Sequence, residues 1–172
     1  QLRSQRKIDV IQGRARFIDA NTLSIDTADG DQELKFETAI LATGSRPVSI
    51  PIAPESNRVM NSTLALALED VPKTLLVVGG GYIGLELGQA YASFGSTVSV
   101  VEMLPGILTG ADKDLANVLM QRLKKQFEAI MLKTRVVSME ETKKGIRVKM
   151  QPEGGEETEA EYDRVLVSVG RR

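Results

Sequence analysis

Short apolar runs separated by turn formers open the chain. Between Val10 and Ile25 the apolar positions Val10, Ile11, Phe17, Ile18, Leu23 and Ile25 are spaced as in strands, with turns at Gly13 and Asp19 to Asn21. Asp29-Gly30 reads as a hairpin turn. A further run, Leu34 to Phe36 and Ala39 to Ala42, ends in Thr43-Gly44-Ser45, and Pro47, Pro51 and Pro54 make 45–58 read as a linker. Ser62 is placed to cap a short helix carrying Leu64 to Leu68, which Pro72 keeps from continuing.

The periodicity changes at Thr74. Thr74 to Val78 is a continuous apolar run, as expected of a parallel strand covered on both faces. Beyond the glycines at 79–84, residues Ile83, Leu87, Ala90, Tyr91 and Phe94 fall at helical spacing, and Gly95 stands where a left-handed cap would end the helix. Thr97 to Val101 reads as the next strand. A second amphipathic helix is expected after Asp112, with Leu115, Val118, Leu119, Leu123 and Phe127 in its apolar stripe and Lys113, Asp114, Arg122 and Lys125 off it. Alternation in the tail predicts strands at Val136 to Met139, Ile146 to Met150 and Tyr162 to Val169. Turns separate them at Lys144-Gly145 and Gly154-Gly155, and 153–161 reads as a Glu-rich turn.

Gly79, Gly81 and Gly84 form G-x-G-x-x-G between an expected strand and an expected helix, the context in which that spacing binds a dinucleotide. The first glycine permits the tight turn, the second lets the backbone approach a pyrophosphate, and the third lets helix and sheet pack closely. The amides and positive dipole end of a helix beginning near Tyr82 would face the phosphates. An acidic residue should follow at the end of the second strand to bind the adenosine ribose, and Glu102 is there. Its charge would repel a 2′-phosphate, and Met103 and Leu104 offer no guanidinium to accept one, so NAD is favoured over NADP by roughly ten- to hundredfold for one charged hydrogen bond. Glu86, among apolar helix positions, needs a partner or a ligand; standing alone, it reads as a surface group. Tyr82 covers either the core or the site. The fold class is therefore α/β: a Rossmann-like βαβ NAD-binding domain over 74–102, followed by a β-meander.

Composition narrows the chemistry. The chain's 172 residues suit one domain, or one domain and a piece of another. A net charge of −1 from 22 basic and 23 acidic residues provides no field for nucleic acid, and no run of about 18 apolar residues suggests a membrane partner. Cysteine and histidine are both absent, which removes thiol nucleophiles, thiolate metal sites and the commonest general base. No catalytic residue and no metal ligand is assigned on this reading. Gln1 and the final GRR look like cut ends of a longer protein. Without targeting features, a bacterial cytoplasmic origin is expected, although a mature organellar protein would read the same.

Four segments, ILATGSRP, VPKTLLVVGGGYIGLELG, YASFGSTVSVVE and VLVSVGRR, together resemble the pyridine nucleotide-disulfide oxidoreductases in order and spacing along nearly the whole chain. Glu102 fits the NAD-using lipoamide branch better than the NADP-using glutathione branch. The resemblance implies that residues 1–46 close the first FAD-domain segment and that 47–172 form the NAD-binding domain, with a lead-in helix within 59–70. It implies that Gly79, Gly80, Gly81, Tyr82, Ile83 and Gly84 hold NAD, with Glu86 near the nicotinamide and Tyr82 as its gate. Val136 would border the adenine and Gly170 the nicotinamide side. Ala15, Thr43, Gly44 and Ser45 would lie near FAD; read without the resemblance, they are a meander alanine and a strand-end turn.

Members of the family carry a redox cysteine pair, an FAD glycine loop and a His-Glu relay that this chain does not contain. The resemblance therefore implies a homodimeric flavoprotein that oxidises dihydrolipoamide on the lipoyl domains of a 2-oxoacid dehydrogenase or glycine cleavage complex, with NAD as acceptor. Another FAD-dependent disulfide or NADH reductase, such as a mercuric or coenzyme A-disulfide reductase, and a non-catalytic NAD-binding module are the alternatives.

Overall fold

A computed structural model describes residues 5–172, which divide into a unit ending at Gly44 and a unit running Ser45–Arg172. The first unit is an antiparallel meander of β1 (Arg14–Asp19), β2 (Thr22–Thr27) and β3 (Gly30–Lys35). Its turns follow from local chemistry. The Asp19 carboxylate accepts the Asn21 amide at 2.8 Å, and Gly30, at φ +113°, turns β2 into β3. Ala39 to Ala42 is not a strand, contrary to the pattern: among the described residues nothing pairs with it, and Ile40 is 92% exposed. Apolar residues alone do not make a strand when no neighbouring backbone bonds to it.

The second unit is built on a five-stranded parallel sheet in the order β4-β11-β5-β6-β7. Its strands are β4 (Val59–Met60), β5 (Thr74–Val78), β6 (Thr97–Val101), β7 (Ala129–Met131) and β11 (Arg164–Val167). One face carries helices α1 (Ser62–Ala67), α2 (Tyr82–Ser93) and α3 (Lys113–Leu123). The other carries an antiparallel sheet of β8 (Thr134–Glu141), β9 (Ile146–Pro152) and β10 (Thr158–Tyr162). Alternation along β5 serves both layers. Leu75 and Val77 pack with Leu85, Tyr91 and Phe127 under the helices, while Leu76 and Val78 pack with Ile146, Val148 and Met150 of the antiparallel sheet. This is why the run reads as continuously apolar. At the amino end of β5, Thr74 and Asp163 exchange hydrogen bonds: the Thr74 amide donates to the Asp163 carboxylate and the Asp163 amide to the Thr74 hydroxyl, each at 2.9 Å.

Several local expectations change. Segment 45–58 is docked rather than a linker: Arg46 and Arg172 exchange backbone hydrogen bonds of 2.7 and 2.9 Å, and Val48 donates to the Gly170 carbonyl at 3.0 Å. Asn61, not Ser62, caps α1, because its extended backbone lets Oδ1 accept the amides of Thr63 and Leu64. In α3 the sheet-facing residues are Leu119, Met120 and Leu123, with Phe127 just beyond, whereas Leu115 and Val118 are 65% and 72% exposed. A helical stripe is broad, and the face that meets the sheet is decided by the sheet's position. Tyr162 to Val169 divides at Asp163 into β10 and β11, which belong to different sheets, and part of the Glu-rich turn is the strand β10. β4 and β7 are too short to be visible as patterns.

Tyr91 is fully buried, and its hydroxyl donates to the Ala65 carbonyl at 2.9 Å, joining α2 to α1. Burial raises its pKa above the ordinary 10.0, as it does that of Tyr162. After Phe94, the amides of Ser96 and Gly95 turn back to the carbonyls of Tyr91 and Ala92, with Gly95 at φ +105°, which closes α2 as its glycine suggests. Among the described residues no helix is long and apolar enough to cross a membrane.

Candidate functional site

The carboxyl ends of β5, β6 and β11 open into one cleft of about 680 Å³. Its position follows from topology. The chain leaves β5 toward β6 on one side and returns through β11 on the other, so the loops after these strands diverge.

The loop after β5 has the geometry its glycines imply. Gly79 adopts φ +110°, and a Cβ there would stand 2.6 Å from the Ser168 carbonyl oxygen. A Cβ on Gly84 would meet the Ser168 hydroxyl and stand 2.5 Å from the Gly79 carbonyl oxygen and 2.9 Å from Val77. Gly81 differs. It is the N-cap of α2, provides no side-chain acceptor, and a Cβ there would meet nothing within 4 Å. The loop thus leaves open space at its middle glycine, beside a helix N-terminus of positive potential. These features fit a dinucleotide pyrophosphate.

Glu102 ends β6 and faces this loop. Its carboxylate accepts the Gly80 amide at 2.6 Å through Oε2 and the Leu104 amide at 2.7 Å through Oε1. Each carboxylate oxygen has a second lone pair, so two amide bonds leave acceptor capacity toward the cleft. The backbone of Glu102 is held as firmly. Its amide donates to the Met131 carbonyl at 2.8 Å, and its carbonyl accepts the Thr134 amide at 3.0 Å. Gly80 is also anchored through its carbonyl, which accepts the Leu108 amide at 2.9 Å.

Gly79, Gly81, Tyr82, Ile83, Glu102, Val136 and Gly170 all line the cleft. Gly80 touches it through Glu102, and Gly84 lies buried beneath the loop. Tyr82 is 64% exposed and does not cover the core. Glu86 lies one turn along α2 on the exposed face, with no ion pair among the described residues, and it does not line the cleft. The need for a partner inferred from its apolar neighbours in sequence does not arise on an exposed face. Ser45 accepts two bonds of 2.7 Å from the Arg171 guanidinium, one at its hydroxyl and one at its carbonyl. Ala15 pairs with Ile25 in β1, and Gly44 adopts φ +72°; Thr43 and Gly44 are exposed. Among the described residues no three His, Cys, Asp or Glu side chains gather as a metal site.

Ser168, Arg171 and Arg135 are among the cleft residues that the sequence did not assign to the site. Ser168, after β11, donates its hydroxyl to the Val78 carbonyl at 3.1 Å and closes the floor under Gly79. Arg171 donates to Ser62 at 3.1 Å as well as to Ser45, tying the chain's end to the start of α1. Arg135 enters from β8. The repeated arginines after Gly170 were a signal for Arg171; nothing local marks Arg135.

Comparison with known proteins follows the same lines. The model of the family described as pyridine nucleotide-disulphide oxidoreductase matches residues 1–172. Dihydrolipoyl dehydrogenases from Geobacillus stearothermophilus and Haemophilus influenzae are 43% identical over 166 residues and 44% identical over 168. Each alignment covers 96% of this chain and 35% of the relative, so the chain spans about a third of those proteins. Among solved structures, the HOCl-induced flavoprotein disulfide reductase RclA from Escherichia coli aligns with a TM-score of 0.79 at 31% identity, covering 99% of this chain and 38% of that one.

Proposed function

From the premise that this chain belongs to the pyridine nucleotide-disulphide oxidoreductase family, we propose that it is the NAD-binding segment of a dihydrolipoyl dehydrogenase. The whole protein would be a homodimeric flavoprotein that passes electrons from dihydrolipoamide, through a redox disulfide and FAD, to NAD. Its partners would be the lipoyl domains of a 2-oxoacid dehydrogenase or glycine cleavage complex, and its compartment the bacterial cytoplasm. Residues 1–46 would close the first FAD-domain segment, with Ala15, Thr43, Gly44 and Ser45 near the flavin, and 47–172 would form the NAD domain. The division of the chain at Gly44 and Ser45 supports that boundary.

The single observation that carries the reading is the bond from the Gly80 amide to the Glu102 carboxylate. It joins the phosphate loop to the ribose-selecting acid across two strand ends, so both are held at one distance before any ligand arrives. The loop amides and α2 N-terminus would bind the pyrophosphate at Gly81, while the remaining lone pairs of Glu102 would accept ribose hydroxyls. Val136 would border the adenine and Gly170 the nicotinamide, with Tyr82 as a gate and Glu86 beyond it. NAD and FAD, when bound, supply the hydride chemistry; this chain supplies position, and its fixed dipoles need no rearrangement.

The test is dihydrolipoamide-dependent NAD reduction by the whole protein, together with NADH binding followed by fluorescence. Reduction should occur, and Gly81→Val should abolish NADH binding. Equal binding by that variant would overturn the loop assignment. The similarity to RclA supports a second reading, a flavoprotein disulfide reductase of other specificity. Turnover of a different disulfide with NADH, and none of dihydrolipoamide, would select it.

A further inference from the structure

The sequence around Glu102 contains no guanidinium, yet the fold supplies one. The Thr134 amide bonds to the Glu102 carbonyl at 3.0 Å, which brings the start of β8 against the end of β6. The next residue, Arg135, is exposed and lines the cleft together with Glu102, Met103, Leu104 and Val136. Its guanidinium donates through Nε at 3.1 Å and through Nη2 to a single acceptor, the side-chain oxygen of Gln151. Gln151 in turn donates to the Gly155 carbonyl at 3.4 Å. The group is therefore oriented, and its partner is neutral.

Charge bookkeeping around it is simple. Lys133, two residues earlier, is paired with Glu153 at 3.0 Å, whereas Arg135 has no carboxylate partner among the described residues. Glu102 accepts two backbone amides and forms no ion pair with Arg135 among the described residues. Of the guanidinium's five N–H donors, the Gln151 oxygen engages two nitrogens, and Nη1 has no partner among the described residues. A planar donor set of this kind suits phosphate oxygens.

We infer that Arg135 is a specificity-determining residue at the adenosine end of the cleft, a latent acceptor for a ribose 2′-phosphate, so that discrimination against NADPH rests on Glu102 alone. The inference rests on the dinucleotide reading of the cleft and extends it. Exclusion of NADPH is then a contest between one carboxylate that repels the extra phosphate and one guanidinium that attracts it, and the carboxylate prevails because the loop fixes it at the ribose.

Titration of NADH and NADPH into the whole protein tests this. Glu102→Gln should shift the affinity ratio toward NADPH by about tenfold or more, the scale of one charged hydrogen bond. Adding Arg135→Ala should cancel that gain, and Arg135→Lys should retain part of it. Because Glu102→Gln loses one of its loop bonds, the measurement is repeated with Glu102 intact, where Arg135→Ala alone should lower the residual NADPH affinity by a larger factor than the NADH affinity. Equal loss for both nucleotides would mean that Arg135 acts on the shared adenosine, and no loss for either would mean that it acts on neither; each overturns the inference. Failure of the unaltered protein to bind NADH would instead overturn the dinucleotide site itself.

Discussion

A single added methyl group separates the loop's binding role from its packing role. At Gly81 the backbone is at φ −77° and ψ 171°, which any residue adopts, and a Cβ would meet nothing within 4 Å. Gly81→Ala should therefore fold normally: alanine at a helix N-cap costs roughly 0.5 kcal/mol, and the stiffer unfolded chain offsets a similar amount. The methyl would nonetheless stand where a pyrophosphate approaches the amides, and loss of one charge-assisted bond of about 1.5 to 3 kcal/mol weakens binding about ten- to hundredfold. At Gly84 the same methyl would stand 2.5 Å from the Gly79 carbonyl oxygen and 2.9 Å from Val77, besides meeting the Ser168 hydroxyl.

The hydroxyl at Ser168 can rotate, but the carbonyl is part of the loop and Val77 part of the core, so Gly84→Ala forces α2 outward. Overpacking against backbone costs about 2 to 3 kcal/mol, the upper part of the usual range, of which helix propensity offsets about 1. A net loss of about 1 to 2 kcal/mol lowers Tm by about 2 to 8 °C for a chain of this size. Paired thermal melts and NADH titrations should thus show Gly81→Ala impaired in binding at unchanged Tm, and Gly84→Ala with lowered Tm. Full NADH affinity in Gly81→Ala would refute close approach at that glycine. An unchanged Tm in Gly84→Ala would refute tight helix–sheet packing.

Two further outcomes test the scaffold. Leu123→Ala should cost about 2 to 5 kcal/mol in urea unfolding, as for a buried leucine, while Leu115→Ala on the exposed face should stay within about 0.5 kcal/mol; a comparable loss for both would restore the stripe read from the sequence. Burial holds the pKa of Tyr91 and Tyr162 above 10.0 in the folded chain. The unfolded tyrosines lose their protons first, so stability is fully present below pH 10.0 and falls as pH rises beyond it. Tyr91→Phe should flatten that fall in urea midpoints measured from pH 9 to 11, and an unaltered slope would argue against the buried hydroxyl.

The parts legible in sequence were those in which local chemistry and tertiary role coincide. β5, the glycine loop, α2 with its Gly95 cap, and β6 with Glu102 each announce themselves, because a parallel strand buried on both faces needs a solid apolar run and the loop needs residues without side chains. Ala39 to Ala42 misled because apolarity was present and a pairing partner was not. Asn61 and Ser62 are both good caps, and only the backbone at Asn61 decides between them. Asp163 ends one sheet and begins another inside a run that looks continuous. Arg135 was invisible because its proximity to Glu102 is created by the pairing of distant segments, not by spacing.

The exchange of hydrogen bonds between Thr74 and Asp163 has a consequence for how this sheet finds its alignment. A strand that is apolar on both faces can slide by one residue and still look well buried, so hydrophobic patterning distinguishes poorly between neighbouring alignments. The Thr74–Asp163 pair supplies the missing vernier mark: only one offset lets both bonds form, and that offset sets Leu75 against Arg164 and Val78 against Val167. It also determines that Ser168 arrives beneath Gly79, at the opposite end of both strands. The alignment of the glycine loop is in this sense keyed from the far edge of the sheet, by two polar residues that do not line the cleft.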